Sequence, residues 1–429
     1  MKAFLQPLQN LAEMEQIREQ AKDNRGVLAV SGCMESQKAH MIYGLSGLFP
    51  CHLIISEDER SAKQIYEDYR FYDKNVYYYP ARDLLFFQAD IHGNLLIRQR
   101  MQVIRALLTS EEITVVTSVD GCMDFLAPLE EIRKQLLYFR NDSQLDIDKL
   151  KTSLVSMGYE RVGQVEMPGQ FSVRGGIIDI YSLTEENPWR IELWGDEIDS
   201  IRSFDTQSQR SLENLEEITI YPAAEQTGKK ALVSFLDYFP KQAEKSGLTF
   251  PDYFDREKTM IFLDEPNRLS ENAKAVEEEF RQSCRNRQEK GEQNLSEGWM
   301  CSWEEVCHKL NKRNCVSLSA LEPQKAGWNI TGKHNLTVKS MSSYQSSFEL
   351  LVKDLQQYKN QGYQIILMSG SRTRAERLAK DLQDQGLNAF YGQDGERILN
   401  PGEIMVVYGH ARKGFEYPLV KFAVITETD

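Results

Sequence analysis

Apolar residues fall along this chain in two alternating patterns. Short, almost wholly apolar runs read as strands buried on both faces of a parallel sheet: Gly26 to Val30, Leu53-Ile54-Ile55, Ile113 to Thr117 and Met260 to Leu263. Between them apolar residues recur at helical spacing. Residues 1–24 carry Leu8, Leu11, Met14 and Ile17 on one face, and Asp58 to Tyr72 and Leu95 to Leu108 are two further helices. The last ninety or so residues repeat the alternation: a helix from Ser347 to Asn360, a strand from Gln364 to Met368, a helix running to Gln385, then strands at Ala389-Phe390-Tyr391, Ile404 to Val407 and Phe422 to Thr426.

The middle of the chain differs. From Met167 to Tyr181 and from Pro188 to Phe204 the period drops to two, with β-branched residues and Gly or Pro at the ends. Ile191 and Leu193 point one way and Arg190, Glu192 and Trp194 the other. Gly175-Gly176 interrupts the earlier stretch, as at a bulge or a close backbone approach. Gly195-Asp196 turns the chain back into a further strand. A helix from Asp146 to Met157, ended by Gly158, precedes this region. The product is a small antiparallel sheet with one charged face, either solvated or a surface for a partner.

At 429 residues the chain exceeds one ordinary core. Hydrophobic and charged contents of 41% and 27% are those of a globular protein, and no apolar run is long enough for a bilayer. The N-terminus has no signal-peptide core. Seven cysteines without framework spacing point to a reducing cytoplasm. Cys301, Cys307, His308 and Cys315 lack the paired spacing of a zinc site, and neither a metal nor another cofactor is expected. A net charge of −13 argues against DNA as the main partner.

After the first buried strand comes Ser31-Gly32-Cys33-Met34-Glu35-Ser36-Gln37-Lys38-Ala39, then a helix, the setting of a phosphate-binding loop. Gly32 and Lys38 match its first glycine and its lysine. Gln37 stands where the second glycine belongs, and Ala39 where the metal-binding hydroxyl belongs; Glu35 adds a negative charge. The strand ending in Asp264-Glu265 has the form of the companion strand whose acid holds Mg²⁺, followed here by Pro266. Together they read as a former nucleotide site that no longer turns over; an ordinary strand–helix turn has the same functional consequence. Tyr77, Tyr78, Tyr79, Phe86 and Phe87 are taken as packing residues rather than a base-stacking platform. The charged run 268–296, with Arg281, Arg285 and Arg287, is taken as a solvated helix face. Ser369-Gly370-Ser371 is a capped helix start that also has the form of an anion site.

The strings GQFSVRGGIIDIYS, WRIELWGDEIDSIRSFD and SQRSLENLEEITIYPA resemble the domain shared by the excision-repair protein UvrB and the transcription-repair coupling factors, and the likeness continues through most of the chain, including GHARKGFEYPLVKFAVITETD near its end. In both families that domain docks onto UvrA. The resemblance implies an α/β, multidomain fold. Residues 1–122 and 221–337 form a degenerate P-loop-type parallel domain, 123–220 an inserted small α+β docking domain on an antiparallel sheet, and 338–429 a second small α/β domain. It implies UvrA contacts at Arg161, Arg174, Arg190 and Glu192, while Ser172 replaces one arginine of the UvrB pattern; beside these arginines Phe171 is the candidate apolar anchor. It further implies a cytoplasmic, non-catalytic adaptor that links stalled RNA polymerase to excision repair. The adaptor has little or no DNA binding of its own and restrains a translocase motor; the motor and the RNA-polymerase-binding domain that follow in the family are not in this chain. The alternatives are an ATP-dependent DNA-handling module of UvrB or helicase type, and a structural scaffold without UvrA affinity.

Overall fold

The structure is a computed structural model that describes residues 1–81, 93–223, 247–289, 300–323, 327–344, 347–393 and 395–429. Phe86, Phe87, the Arg287 side chain and residues 290–296 lie outside the described residues.

The buried runs assemble into a seven-stranded, wholly parallel sheet. Its order is Ile330–Asn335, Gly26–Ser31, Asn314–Leu318, Thr259–Asp264, Cys51–Ser56, Ile113–Ser118, Val76–Tyr79. Both faces are covered, which is why the inner strands are apolar throughout. Leu28, Val30, Ile54, Phe262 and Val316 face a core shared with the helices Lys2–Gln9, Ala12–Lys22, Glu35–Ser46 and Glu59–Tyr69. Val27, Leu53, Ile55, Ile261 and Leu263 face a second core under Gly93–Thr109, Pro266–Glu289 and Trp303–Leu310. The helix expected over 1–24 is two helices, broken at Asn10-Leu11, with Leu11 buried at the break.

Between the strands Ile113–Ser118 and Thr259–Asp264 the chain builds a six-stranded sheet. Its order is Ser211–Leu215, Glu197–Phe204, Trp189–Trp194, Ile177–Ile180, Gln170–Arg174, Glu160–Arg161, antiparallel except for the last pair. A ribbon of Leu137–Arg140 and Glu217–Ile220 lies alongside. The helix Ile147–Ser156 is capped by Asp146, whose carboxylate accepts from the Asp148 and Lys149 amides at 3.1 Å; Gly158 follows it at φ +87. Phe171, Ile178, Ile180, Trp189, Ile191, Ile198 and Ile201 form the inner face, packed with Leu150, Leu154 and Tyr159. Gly175-Gly176 is not a bulge within one strand. It is the two-residue turn joining Gln170–Arg174 to Ile177–Ile180, with Gly175 at φ +61. The close approach is real: a Cβ on Gly176 would lie 3.1 Å from the Leu193 carbonyl oxygen.

The third sheet runs Lys339–Ser340, Phe415–Tyr417, Phe422–Thr426, Gln364–Ser369, Ile404–Tyr408, Ala389–Gly392; its last four strands are parallel. Ile365, Leu367, Ala423 and Ile425 pack under the helices Phe348–Asn360 and Arg372–Asp384. The opposite face, with Ile366, Met368, Met405, Val407 and Val424, joins the same core as Phe4, Phe71 and Tyr72. The third sheet is therefore fused to the first through continuous apolar packing. At the start of Arg372–Asp384, Ser371 accepts from the Arg374 amide, and Ser369 donates to the Glu427 carboxylate. That carboxylate stands by the helix N-terminus where an anion would come. The α/β class with an inserted antiparallel sheet, expected from the sequence, is the architecture found. No helix among the described residues is long and apolar enough to cross a membrane.

Candidate functional site

The outer face of the six-stranded sheet is polar and ordered in rows. Ser172, Asp179, Arg190 and Arg202 stand side by side across four strands; Arg174, Ile177, Glu192 and Ser200 form the next row. Asp179 organises the first row. Its side chain is 1% exposed and accepts from Arg174 at 2.8 Å and from Arg190 through Nε at 2.7 Å and a terminal nitrogen at 2.9 Å. Arg190 also donates to Gln209 at 2.9 Å and lies 4.3 Å from the centre of the Phe204 ring. Its partners are thus the buried carboxylate of the sheet and the loop that follows Phe204, and its side chain is 14% exposed. Arg174 keeps 47% of its side chain in solvent. Arg202 pairs with Glu192.

The five residues expected to make one contact patch therefore separate. Arg174, Arg190 and Glu192 share the outer face. Arg161 is exposed at the sheet edge, and its register places it beside Phe171 rather than in the arginine rows. Phe171 is fully buried in the inner core, so it does not serve as a surface anchor. The alternation of a strand puts Phe171 and Arg174, three apart, on opposite faces.

The loop after the first strand is equally well defined. Lys38 Nζ lies 2.6 Å from Asp264 Oδ1 and 2.7 Å from Glu265 Oε1. Burial opposes the ammonium charge, but the two carboxylates outweigh it and hold Lys38 above its ordinary range. At Asp264 burial outweighs the ammonium and the carboxyl is pushed up. Glu265 sits at φ +51, an uncommon conformation for a side chain of its size, and also accepts from the Ala320 amide at 2.9 Å. Gln37 is buried. Its oxygen accepts from the Met34 amide at 3.1 Å and its nitrogen donates to the Tyr417 hydroxyl at 2.8 Å. That hydroxyl lies 3.2 Å from His40 Nδ1, and His40 Nε2 lies 2.8 Å from the Phe4 carbonyl. A carbonyl only accepts, so Nε2 carries the hydrogen and Nδ1 accepts from Tyr417. Burial lowers the His40 imidazole to about 4, which keeps it neutral. Ala39 is buried. Gly32 has φ +78, and a Cβ there would run into the Leu336 carbonyl. Ser36 accepts from the Lys413 amide at 3.1 Å, and the Lys413 ammonium is 3.6 Å from Glu35. The third sheet and the segment at Leu336 thus cover the loop, and its lysine is already engaged by the two acids.

Residues 137–225 match the UvrB interaction domain family. The transcription-repair-coupling factor of Bacillus subtilis is 27% identical over 93% of this chain. Those of Staphylococcus epidermidis and Staphylococcus aureus are 24% and 25% identical over 88% and 83%. The chain is similar to the transcription-repair-coupling factors over nearly its whole length. It spans 39%, 36% and 34% of the length of these three proteins.

On the part matched to the UvrB interaction domain, three residues of the outer face had no place in the expected contact set: Asp179, Arg202 and Trp194. Asp179 interrupts the apolar run Ile177-Ile178-Asp179-Ile180. An acid in such a run signals a buried partner, but naming that partner requires the strand register. Trp194 shares the face of Arg190 and Glu192 and is 84% exposed. In the part resembling the coupling factors beyond that domain, Tyr417 is the missed residue; only the tertiary structure brings it to Gln37.

Proposed function

We propose that this chain is a non-catalytic docking module of a transcription-repair-coupling factor, corresponding to its N-terminal region, which recruits UvrA through the outer face of the six-stranded sheet. In the longer protein it links stalled RNA polymerase to excision repair and restrains the motor. The observation that carries the reading is Arg174, a half-exposed guanidinium pinned to a buried carboxylate on the sheet matched to the UvrB interaction domain. A cation held in place before the partner arrives forfeits little conformational freedom on binding, and arginines are disproportionately represented among energetic centres of interfaces. Glu192 and Arg190 act with it, Arg190 mainly by fixing Asp179. Arg161 contributes from the sheet edge. Residues 123–220 are the docking unit; 1–122 with 221–337, and 338–429, are its supports.

The engagement of Lys38 by Asp264 and Glu265 supports the non-catalytic part of the reading and weighs against an ATP-dependent module. The test is calorimetric titration of the chain with purified UvrA, native against Arg174→Ala. Binding that falls by about tenfold or more, about 1.4 kcal/mol, is the expected result. No binding by the native chain would refute the docking function. Heat evolved on titration with ATP·Mg²⁺ would refute the loss of the nucleotide site.

A further inference from the structure

We infer that this chain binds a small organic cation, an aliphatic ammonium or guanidinium, in the cavity at the N-terminal ends of the strands Cys51–Ser56 and Ile113–Ser118, with Asp73 and Glu112 as its anchors. The cavity holds about 420 Å³, and ligand cavities begin at about 300 Å³. It lies at the opposite end of the parallel sheet from Lys38 and apart from the six-stranded sheet, so it is independent of the docking face. His52 and Thr114 are buried and form its floor. The turn Leu48-Phe49-Pro50 gives it an apolar wall, and Asp73, Asn75 and Glu112 complete the rim.

The floor is rich in acceptors. Thr114 Oγ1 lies 3.5 Å from an Asp73 carboxylate oxygen and 3.2 Å from His52 Nδ1. A carboxylate only accepts, so the Thr114 hydroxyl donates to Asp73, and Nδ1 carries the imidazole hydrogen to Thr114. His52 Nε2 is then a lone-pair acceptor, buried and without a hydrogen bond. The carbonyls of Ser46 and Phe49, acceptors as well, stand beside the same ring. Acceptors facing one another call for a donor. Burial lowers the imidazole to about 4, so near neutral pH the floor carries no positive charge to repel a cation.

Charge selects the ligand. Asp73 Oδ1 accepts from the Asn75 amide at 2.8 Å, and the Asn75 side chain donates to the Glu112 carbonyl at 2.8 Å, so Asn75 ties the two acidic segments together. Neither the Asp73 nor the Glu112 carboxylate has an ion-pair partner among the described residues. On the adjoining turns Glu111 and Asp255 are offset by Lys74 and Lys258, which leaves the two lining carboxylates in excess. The helix Glu35–Ser46 also ends on the cavity at Ser46, and the carbonyl end of a helix favours a cation. No three His, Cys, Asp or Glu side chains among the described residues are grouped to hold a metal ion. An organic cation fits instead: its N–H groups meet the acceptors and its carbon stem meets the Leu48-Phe49-Pro50 wall.

The test is calorimetric titration of the chain with agmatine at constant ionic strength, comparing native, Glu112→Gln, Asp73→Asn and the double variant, with thermal melting of each. The native chain should bind saturably at one site. Each single substitution should weaken binding by about fivefold, and the double variant should lose saturable binding. Glu112 is exposed at the rim, so Glu112→Gln should keep the native melting midpoint and decides the matter even where Asp73→Asn unfolds. Butanol, a stem of the same length without charge, should not bind. A short blocked peptide with one arginine separates the two sources of the cation. Tighter binding than agmatine assigns the site to a basic side chain of a partner, weaker binding to a free amine, and both support the inference. No saturable heat from either probe at millimolar concentration would overturn it, as would binding of agmatine that is equal in the native chain and in Glu112→Gln.

Discussion

Replacing Lys38 with methionine distinguishes a lysine that serves the fold from one that serves a nucleotide. The substitution keeps the length of the side chain and removes its charge. In the native structure the ammonium lies 2.6 Å and 2.7 Å from the Asp264 and Glu265 carboxylates, and the three side chains are 9%, 11% and 21% exposed. Without it two carboxylates share a site that water barely reaches. Removing one partner of a buried pair costs about 3–5 kcal/mol. Glu265 is the more exposed acid and keeps the Ala320 amide, so the lower end, about 3 kcal/mol, is expected. At about 2–4 °C per kcal/mol for a domain of this size, the melting midpoint falls by about 6–12 °C near neutral pH. The loss should shrink in acid. Burial already pushes the Asp264 carboxyl up; without the ammonium it rises further, takes a proton as the pH falls, and the repulsion ends. Differential scanning calorimetry at two pH values measures both effects. Asp264→Asn with Glu265→Gln on the Lys38→Met background should recover most of the midpoint. A Lys38→Met chain that melts within about 2 °C of native would refute the structural role. ATP·Mg²⁺ that stabilises the native chain but not the variant would put a nucleotide in its place.

Gln37→Gly should cost about 3 kcal/mol, from two buried hydrogen bonds and a glycine in a helix, and should bring no ATP affinity; thermal melting and an ATP titration check the two halves. Arg190→Ala leaves Asp179 with Arg174 alone and should cost about 3 kcal/mol, whereas Arg174→Ala leaves the better of the two pairs and should cost under about 1 kcal/mol; urea unfolding separates them. Acid should loosen the joint at His40. Its imidazole is held at about 4 by burial, against about 6.5 when unfolded, so the unfolded chain takes the proton first and stability is lost as pH falls from about 6.5 to about 4. That gap is worth about 3 kcal/mol, and His52, also lowered to about 4 by burial, acts in the same direction. Asp120 opposes them, since burial raises its carboxyl to about 6 and the native form takes that proton first. Comparing native and His40→Gln by urea unfolding at pH 7 and pH 4.5 isolates the His40 share; an unchanged pH dependence in the variant would refute it.

The parallel core was legible because strands covered on both faces must be apolar throughout, and such runs survive any choice of register. Ile330–Asn335 shows the limit. It is an edge strand with alternating exposure and the sequence Ile-Thr-Gly-Lys-His-Asn, so it carries no run to find. On the six-stranded sheet, alternation alone already put Trp194 with Arg190 and Glu192, and it also separates Phe171 from Arg174. The expectation of an anchor at Phe171 rested on its nearness in sequence to the arginines, and the strand period is the better guide. Asp179 could not be assigned from one strand, because its role depends on the arginines that two neighbouring strands bring to it.

The loop at Gly32 gives the opposite lesson. Its departures from a phosphate-binding motif were plain in the sequence, but the contacts that Gln37 makes instead were not, since Gln37 and Tyr417 meet only through the fused core of the first and third sheets. The amide that fills the space of a glycine is the same group that bonds Tyr417, and Tyr417 in turn fixes His40 and the Phe4 carbonyl. Glycine at position 37 would clear the side chain yet leave Lys413 at Ser36, the Leu336 carbonyl against Gly32, and Lys38 on its two acids. Recovering a nucleotide site would therefore require opening the contact between the two sheets as well as restoring the motif.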